Sequence, residues 1–174
     1  MATTLHDFQN RISKLNDDFM WYSDKKAPAT AAQIQQYETE NSLAFSDDIK
    51  EFLLTYGTAI LEVVAPVWPR PKEGEVVPNW EFGYGCFIYG LSSGADAIEW
   101  MQYAAPKSKE GISGQLIFKK SGNLYRAHAH QQAILIEDGI YDSETTVFEG
   151  NFYDFLIAEI NILESDYQEY MARY

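Results

Sequence analysis

Two kinds of hydrophobic periodicity follow one another along the chain, and their order limits the folds that are open to it. Apolar residues recur at helical spacing through the first 57 residues and again from residue 151 onward. The segment between them is rich in β-branched and aromatic residues and is interrupted by glycine and proline, as is typical of strands and turns. We therefore predict a single α+β domain, with an antiparallel or mixed sheet packed by helices and an extra N-terminal helix.

The N-terminal segment predicts a helix with one apolar stripe, formed by Leu5, Phe8, Ile12, Leu15 and Phe19. The sequence SDKKAPAT, residues 23–30, breaks this pattern with charge and a proline. The end of the chain, ESDYQEYMARY, is acidic and rich in tyrosine. The predicted organisation is an N-terminal helical extension over residues 1–27, an α+β domain over 28–164 and an acidic tail over 165–174.

Two further helices carry start signals. Thr30 can cap the second helix, and Gln33 three residues later completes a capping box. In the third, within LAFSDDIKEFLLTYG (residues 43–57), Ser46 is the expected N-cap, and two aspartates follow where the helix dipole favours negative charge. Gly57 stands where a left-handed residue would end the helix. The apolar face of this third helix consists of Ile49, Phe52, Leu53 and Tyr56.

The middle of the chain predicts strands and loops. TAILEVVAP (58–66) and EFGYGCFIYG (81–90) favour strands, and the segment between them is a loop because it holds four prolines in residues 66–80. A short helix is predicted over 92–106 and an antiparallel meander over 114–150. The closing helix is predicted to begin at the cap Asn151, with Asp154 in its first turn. Its apolar face consists of Phe152, Phe155, Leu156, Ile160 and Leu163.

The charge balance restricts the classes of partner. The chain holds 13 basic and 26 acidic residues, a formal net charge of −13, and residues 121–174 hold ten acids against Arg126 and Arg173, a net −8. A field of this sign repels phosphates, so we expect no direct binding to nucleic acid or membranes. It attracts a basic protein partner, although solubility alone also accounts for such a charge. No apolar run indicates a signal peptide or a membrane span, and the sequence predicts a cytoplasmic protein.

Few residues suggest catalysis. His128 and His130 form H-x-H on a predicted strand, whose alternation places both imidazoles on one face, as paired metal ligands require, and Glu137 is a candidate third ligand. The alternative is two solvent-facing histidines between inward-pointing alanines. Cys86, the only cysteine, lies in an aromatic strand, which favours a buried apolar role over a thiolate paired with a histidine. Common nucleotide-binding and hydrolase motifs are missing, so we expect neither enzymatic activity nor a cofactor.

The segment LAFSDDIKEFLLTYG has a wider resemblance when it is read with its neighbours. The amphipathic helix AAQIQQYETENS leads into it, and together they resemble the opening of the SUKH superfamily: a helix with a central aromatic–Glu pair, then leucine, a short turn, an acid, and a helix ending in FLxxYG. Ala44 stands where many members have proline. FIYGLSS (87–93) and FEGNFYDFLIAEI (148–160) resemble a later strand-to-loop segment and the closing helix. The resemblance covers residues 28–164.

The resemblance implies an α+β fold with a mixed or antiparallel sheet and a binding role without catalysis. Bacterial members of the superfamily are often immunity proteins that neutralise toxins, many of them nucleases, and fungal members include regulators of cell-wall glucan synthesis. Our leading expectation is therefore a non-catalytic immunity-type protein that binds a basic toxin domain, with nucleases favoured. The alternatives are a regulatory scaffold related to the cell-wall regulators and a metal-dependent enzyme that uses His128 and His130.

Candidate partner-binding residues follow from charge and aromaticity, because the superfamily motifs are core residues and transfer no binding site. A nuclease must be basic to hold nucleic acid, so an inhibitor of that surface should be acidic. The candidates are acids on predicted hairpin turns and tryptophans of the proline-rich loop that could act as rigid anchors: Glu137, Asp138, Asp142, Glu144, Trp68 and Trp80. Either tryptophan could instead form a lid over the sheet.

Overall fold

Seven strands form one antiparallel sheet, in which each strand pairs with the next one along the chain. They belong to a computed structural model that describes residues 1–23, 28–91, 115–138 and 145–174. The strands within these ranges are β1 (Phe19–Ser23), β2 (Ala59–Val63), β3 (Gly85–Ile88), β4 (Gln115–Lys120), β5 (Tyr125–His130), β6 (Ala133–Asp138) and β7 (Thr145–Phe148). The predicted antiparallel sheet is confirmed.

Four α-helices accompany the sheet in the described ranges: α1 (Leu5–Ser13), α2 (Ala31–Glu40), α3 (Asp47–Thr55) and α4 (Phe152–Arg173). Together with the sheet they confirm the predicted α+β fold with an N-terminal helix. None of these helices has the length and apolarity that crossing a membrane requires. The helix predicted over residues 92–106 lies outside the described residues.

The N-terminal helix is shorter than predicted. It ends at Ser13, and Phe19 opens a strand, so the helical stripe predicted through Phe19 was wrong at its end. The side chain of Asn16 accepts a hydrogen bond from the Asp18 amide at 2.9 Å, and such local bonds favour turns over helix. β1 then pairs along its whole length with β2. The first 23 residues therefore supply both a helix and a strand to the molecule.

The start and stop signals of the next two helices stand at the positions that the sequence predicts. The Thr30 amide donates to Gln33 Oε1 at 2.9 Å and the Gln33 amide donates to Thr30 Oγ1 at 3.2 Å, which completes the capping box of α2. Ser46 occupies the N-cap position of α3, although its side chain makes no capping hydrogen bond. Gly57 follows α3 with a φ of +70°, the left-handed conformation that glycine adopts without strain. All four residues predicted for the apolar face of α3 are buried: Ile49, Phe52 and Leu53 within the helix and Tyr56 at its C-cap.

The closing helix α4 packs its apolar stripe against one face of the sheet. The Phe155 ring is fully buried and meets the rings of Phe118 and Phe148 edge to face, with centroids 4.9 and 5.4 Å apart. Every residue predicted for this face is buried. The helix runs without interruption to Arg173, so the residues predicted as an acidic tail form its last turns. Tyr167 and Tyr170 in those turns pack against the core.

The proline-rich segment is a loop, as predicted, and Arg70 fastens it to the sheet. Its guanidinium donates to the carbonyl oxygens of Trp68 and Val63, both at 2.6 Å. The same group lies 3.9 Å from the ring centroid of Tyr84 and 3.3 Å from Glu62. Prolines have no backbone N–H group, so the loop can form few backbone hydrogen bonds of its own. The Arg70 guanidinium supplies donors to backbone carbonyls and so stabilises the loop.

We predict that Phe155→Ala lowers the free energy of unfolding by about 3–5 kcal/mol, because it opens a cavity among three packed rings. Urea denaturation monitored by circular dichroism measures this change. Ile162→Ala on the same helix is the matched control, since Ile162 is 42% exposed, and it should cost less than about 1 kcal/mol. Equal losses in the two variants would contradict the packing described for α4.

Candidate functional site

Three helices begin at one edge of the molecule. The Asn151 side chain, which caps α4, donates to the carbonyl oxygen of Thr3 at 2.7 Å, and the Thr3 hydroxyl donates to Asp154. Asp48, in the first turn of α3, accepts a hydrogen bond from the Phe152 amide at the start of α4. The starts of α1 and α3 are therefore tied to the start of α4 by side chains. Their partial positive ends meet acids in each first turn, which is the favourable sign.

A groove of about 610 Å³ opens between these helix starts. Its walls come from the beginning of α1, the first turns of α3 and the beginning of α4. The lining residues are Thr3, Thr4, Leu5, His6, Gln9, Asp47, Asp48, Glu51 and Tyr153. We refer to this feature as the acidic groove.

Apart from His6, the charged side chains that line the acidic groove are carboxylates. Asp47 and Glu51 are exposed, and the lining includes no lysine or arginine among the described residues. The pKa of Asp7, beside the groove, is lowered by hydrogen bonds from the Thr4 amide and hydroxyl. Burial, and then the hydrogen bond that its hydroxyl donates to Glu51 Oε1 at 2.7 Å, raise the pKa of Tyr153. The groove can therefore attract a cation.

The two predicted tryptophan anchors occupy different environments. Trp68 is 1% exposed, its ring stacks on Tyr170 at 4.4 Å, and its Nε1 donates to the carbonyl oxygen of Glu81 at 3.1 Å. It is a core residue, so its prediction as an exposed anchor was wrong. Trp80 is half-buried in the same loop and keeps part of its surface accessible.

Of the four predicted acidic hairpin residues, only Glu137 has a described side chain. Glu137 lies within β6 and is 3% exposed, so its placement on an exposed turn was wrong. Asp138 is the last residue of β6. Asp142 and Glu144 lie outside the described residues. The acids of the acidic groove come instead from helix starts, where the sequence indicated only a role in balancing the dipole.

His128 is buried, contrary to the expectation of a solvent-facing side chain. It is 6% exposed, with Leu116 and Leu135 opposite it on the neighbouring strands. Its Nε2 lies 3.2 Å from Glu137 Oε2. Burial lowers the pKa of His128 and outweighs the opposing effect of that carboxylate. Among the described residues no group of three or more histidine, cysteine, aspartate or glutamate side chains could hold a metal ion.

Cys86 is buried, as predicted, and the sheet separates it from the histidines. Cys86 lies opposite Lys120, and Ile88 lies opposite Phe118. The residue of β5 opposite Phe118 is Ala127, so all five side chains share the core face. His128 follows Ala127 and points to the other face. Burial raises the pKa of the Cys86 thiol to about 12, so it carries no thiolate at neutral pH.

A polar cluster that the sequence did not indicate lies beneath α4. Lys120 is 2% exposed, and its Nζ lies 3.5 Å from Asp166 Oδ2. The Tyr125 hydroxyl donates to Glu159, and burial raises the pKa of both Tyr125 and Glu159. Glu159 stands four residues after Phe155, so it lies on the apolar side of α4. An acid at such a position was the sequence signal that could have indicated a buried polar contact. Lys120 and Glu159 are buried while the Asp166 side chain is 38% exposed, so the cluster joins α4 to the sheet and reaches the surface at Asp166.

Comparison with protein-family models, curated proteins and solved structures found no match for this chain. The resemblance to the SUKH superfamily therefore stays a prediction from the sequence.

We predict that His128→Gln changes the pH dependence of stability. The folded pKa of His128 lies below its usual 6.5, so between those two values the unfolded chain binds more protons and wild-type stability falls as the pH drops. The wild-type Tm minus the variant Tm should therefore increase between about pH 5 and about pH 7. His130→Gln, on the same sheet face, is the control for the loss of an imidazole. Parallel curves for wild type and His128→Gln would contradict the burial effect.

Proposed function

We propose that the chain is a non-catalytic, cytoplasmic protein-binding module of the immunity type, which neutralises a basic toxin domain, with a nuclease as the favoured class. The observation that carries this proposal is the acidic groove, whose lining holds Asp47, Asp48 and Glu51 and no basic residue other than His6 among those described. The formal net charge of −13 acts in the same direction over longer distances.

The groove suits a basic partner for a simple reason. A nuclease binds its substrate through cations that contact phosphates, and carboxylates compete for those same cations. Asp47 and Glu51 stand four residues apart on α3, so they share one face of the helix and one lysine or arginine side chain can reach both. Such competition blocks the substrate without a chemical step, and the long-range field speeds the encounter.

Co-expression with a toxin domain encoded beside this chain is the direct test. The wild-type chain should protect the cell, and its affinity for the purified domain should fall as salt rises. Asp47→Asn combined with Glu51→Gln should weaken binding about five- to tenfold, because each exposed ion pair contributes up to about 1 kcal/mol. Isothermal titration calorimetry measures the affinity.

Glu73→Gln combined with Glu75→Gln is the matched control. It removes the same charge from exposed positions of the proline-rich loop, outside the groove, and should change the affinity less than about twofold. Equal weakening by the two double variants, or binding that does not respond to salt, would contradict the role of the groove. Recovery of several unrelated cellular proteins, without protection against any toxin, would favour the regulatory scaffold.

A further inference from the structure

Four aromatic rings gather at the C-terminal end of α4. The buried ring of Trp68 stacks on Tyr170 at 4.4 Å, and the ring of Tyr174, which follows the last residue of α4, lies 4.8 Å from that of Tyr170. Trp80, from the proline-rich loop, lies 6.4 Å from Tyr170 and 6.2 Å from Tyr174. Since Trp68 is held in the core, the half-buried rings of Trp80 and Tyr170 and the exposed ring of Tyr174 stand on a rigid base. We call Trp80, Tyr170 and Tyr174 the aromatic platform.

The carboxylate of Glu81 borders this platform. Glu81 directly follows Trp80 and its Oε1 accepts a hydrogen bond from the Tyr174 hydroxyl at 2.8 Å. The backbone carbonyl of Glu81 accepts the hydrogen bond from Trp68 Nε1, which fixes the position of this turn. A negative charge beside the faces of electron-rich rings is the arrangement that binds an organic cation.

The platform already carries a cation of the chain itself. The Arg173 guanidinium lies 4.2 Å from the centroid of the Trp80 ring. Arg173 is exposed, and within the described part of the chain it forms no ion pair. Arg11 and Arg70, by contrast, each donate two hydrogen bonds to protein oxygens. Arg173 is therefore held by the indole ring, in a position that another cation can take.

We propose that Trp80, Tyr174 and Glu81 form a docking site for an arginine side chain of the basic protein partner, and that Arg173 occupies this site until the partner displaces it. The inference rests on the proposed function, because it assumes a basic partner. Arginine fits better than lysine, since its planar guanidinium stacks on an indole and presents paired donors to a carboxylate. The rigid base of the platform reduces the entropy lost on docking.

A labelled nona-arginine peptide, followed by fluorescence anisotropy at about 50 mM NaCl, tests the site on the full chain. Arg173→Gln empties the site and should bind the peptide about threefold more tightly than Lys14→Gln, which removes the same charge from an exposed position. Trp80→Leu should weaken binding about threefold and abolish the preference for nona-arginine over nona-lysine. Glu81→Gln leaves all rings in place and should also weaken binding. It therefore tests the site even if Trp80→Leu fails to fold.

The outcomes separate this inference from the proposed function. The docking site is overturned if Arg173→Gln gains no more affinity for the peptide than Lys14→Gln, or if the Trp80 and Glu81 variants bind it as the wild type does. Salt-dependent peptide binding in those cases leaves the proposal for the acidic groove in place. Failure of the wild-type chain to bind any basic peptide contradicts both proposals. Self-association of the wild type that Arg173→Gln abolishes would assign the site to a second copy of the chain and overturn docking of a partner.

Discussion

The packing of α4 against the core face of the sheet determines where both candidate surfaces lie. Phe155 sits between Phe118 and Phe148, and this contact fixes the helix across the strands. Its first turn is then held against the starts of α1 and α3 through Asn151 and Asp48, which shapes the acidic groove. Its last turns place Tyr170 on Trp68 and so build the aromatic platform. The opposite ends of a single helix therefore organise two separate regions of the surface.

Most of the architecture could be predicted, because its signals are local. The capping box at Thr30, the cap at Asn151, the left-handed Gly57 and the apolar stripes of α3 and α4 each depend on residues within a few positions of one another. The strand β1 could not be predicted in this way. Its pairing partner β2 lies about forty residues further along the chain, and Phe19 also fits the spacing of the preceding helix.

The two candidate surfaces were much less accessible to sequence reasoning. A count of acids gives the sign of the charge and not its position, and several carboxylates of the acidic C-terminal third are used internally. Glu137 lies beside His128, Glu159 accepts from Tyr125, and Asp154 accepts from the Asn151 amide in the capping box of α4. The acidic groove needs three helix starts that are far apart in sequence to converge, so no short pattern indicates it. Trp68 and Trp80 stand in the same loop, yet Trp68 is buried and Trp80 is half-buried, a difference that no local pattern indicates.

The length of α4 has a consequence for any partner that uses both of its ends. Its 22 residues span about 33 Å, close to the diameter of a small folded domain. A single rigid ligand that reached from one end to the other would gain avidity, because the second contact forms at high effective concentration once the first is made. A short or flexible ligand would occupy one end alone and dissociate quickly. The length of α4 therefore sets the separation that a ligand must span to contact both ends of the helix.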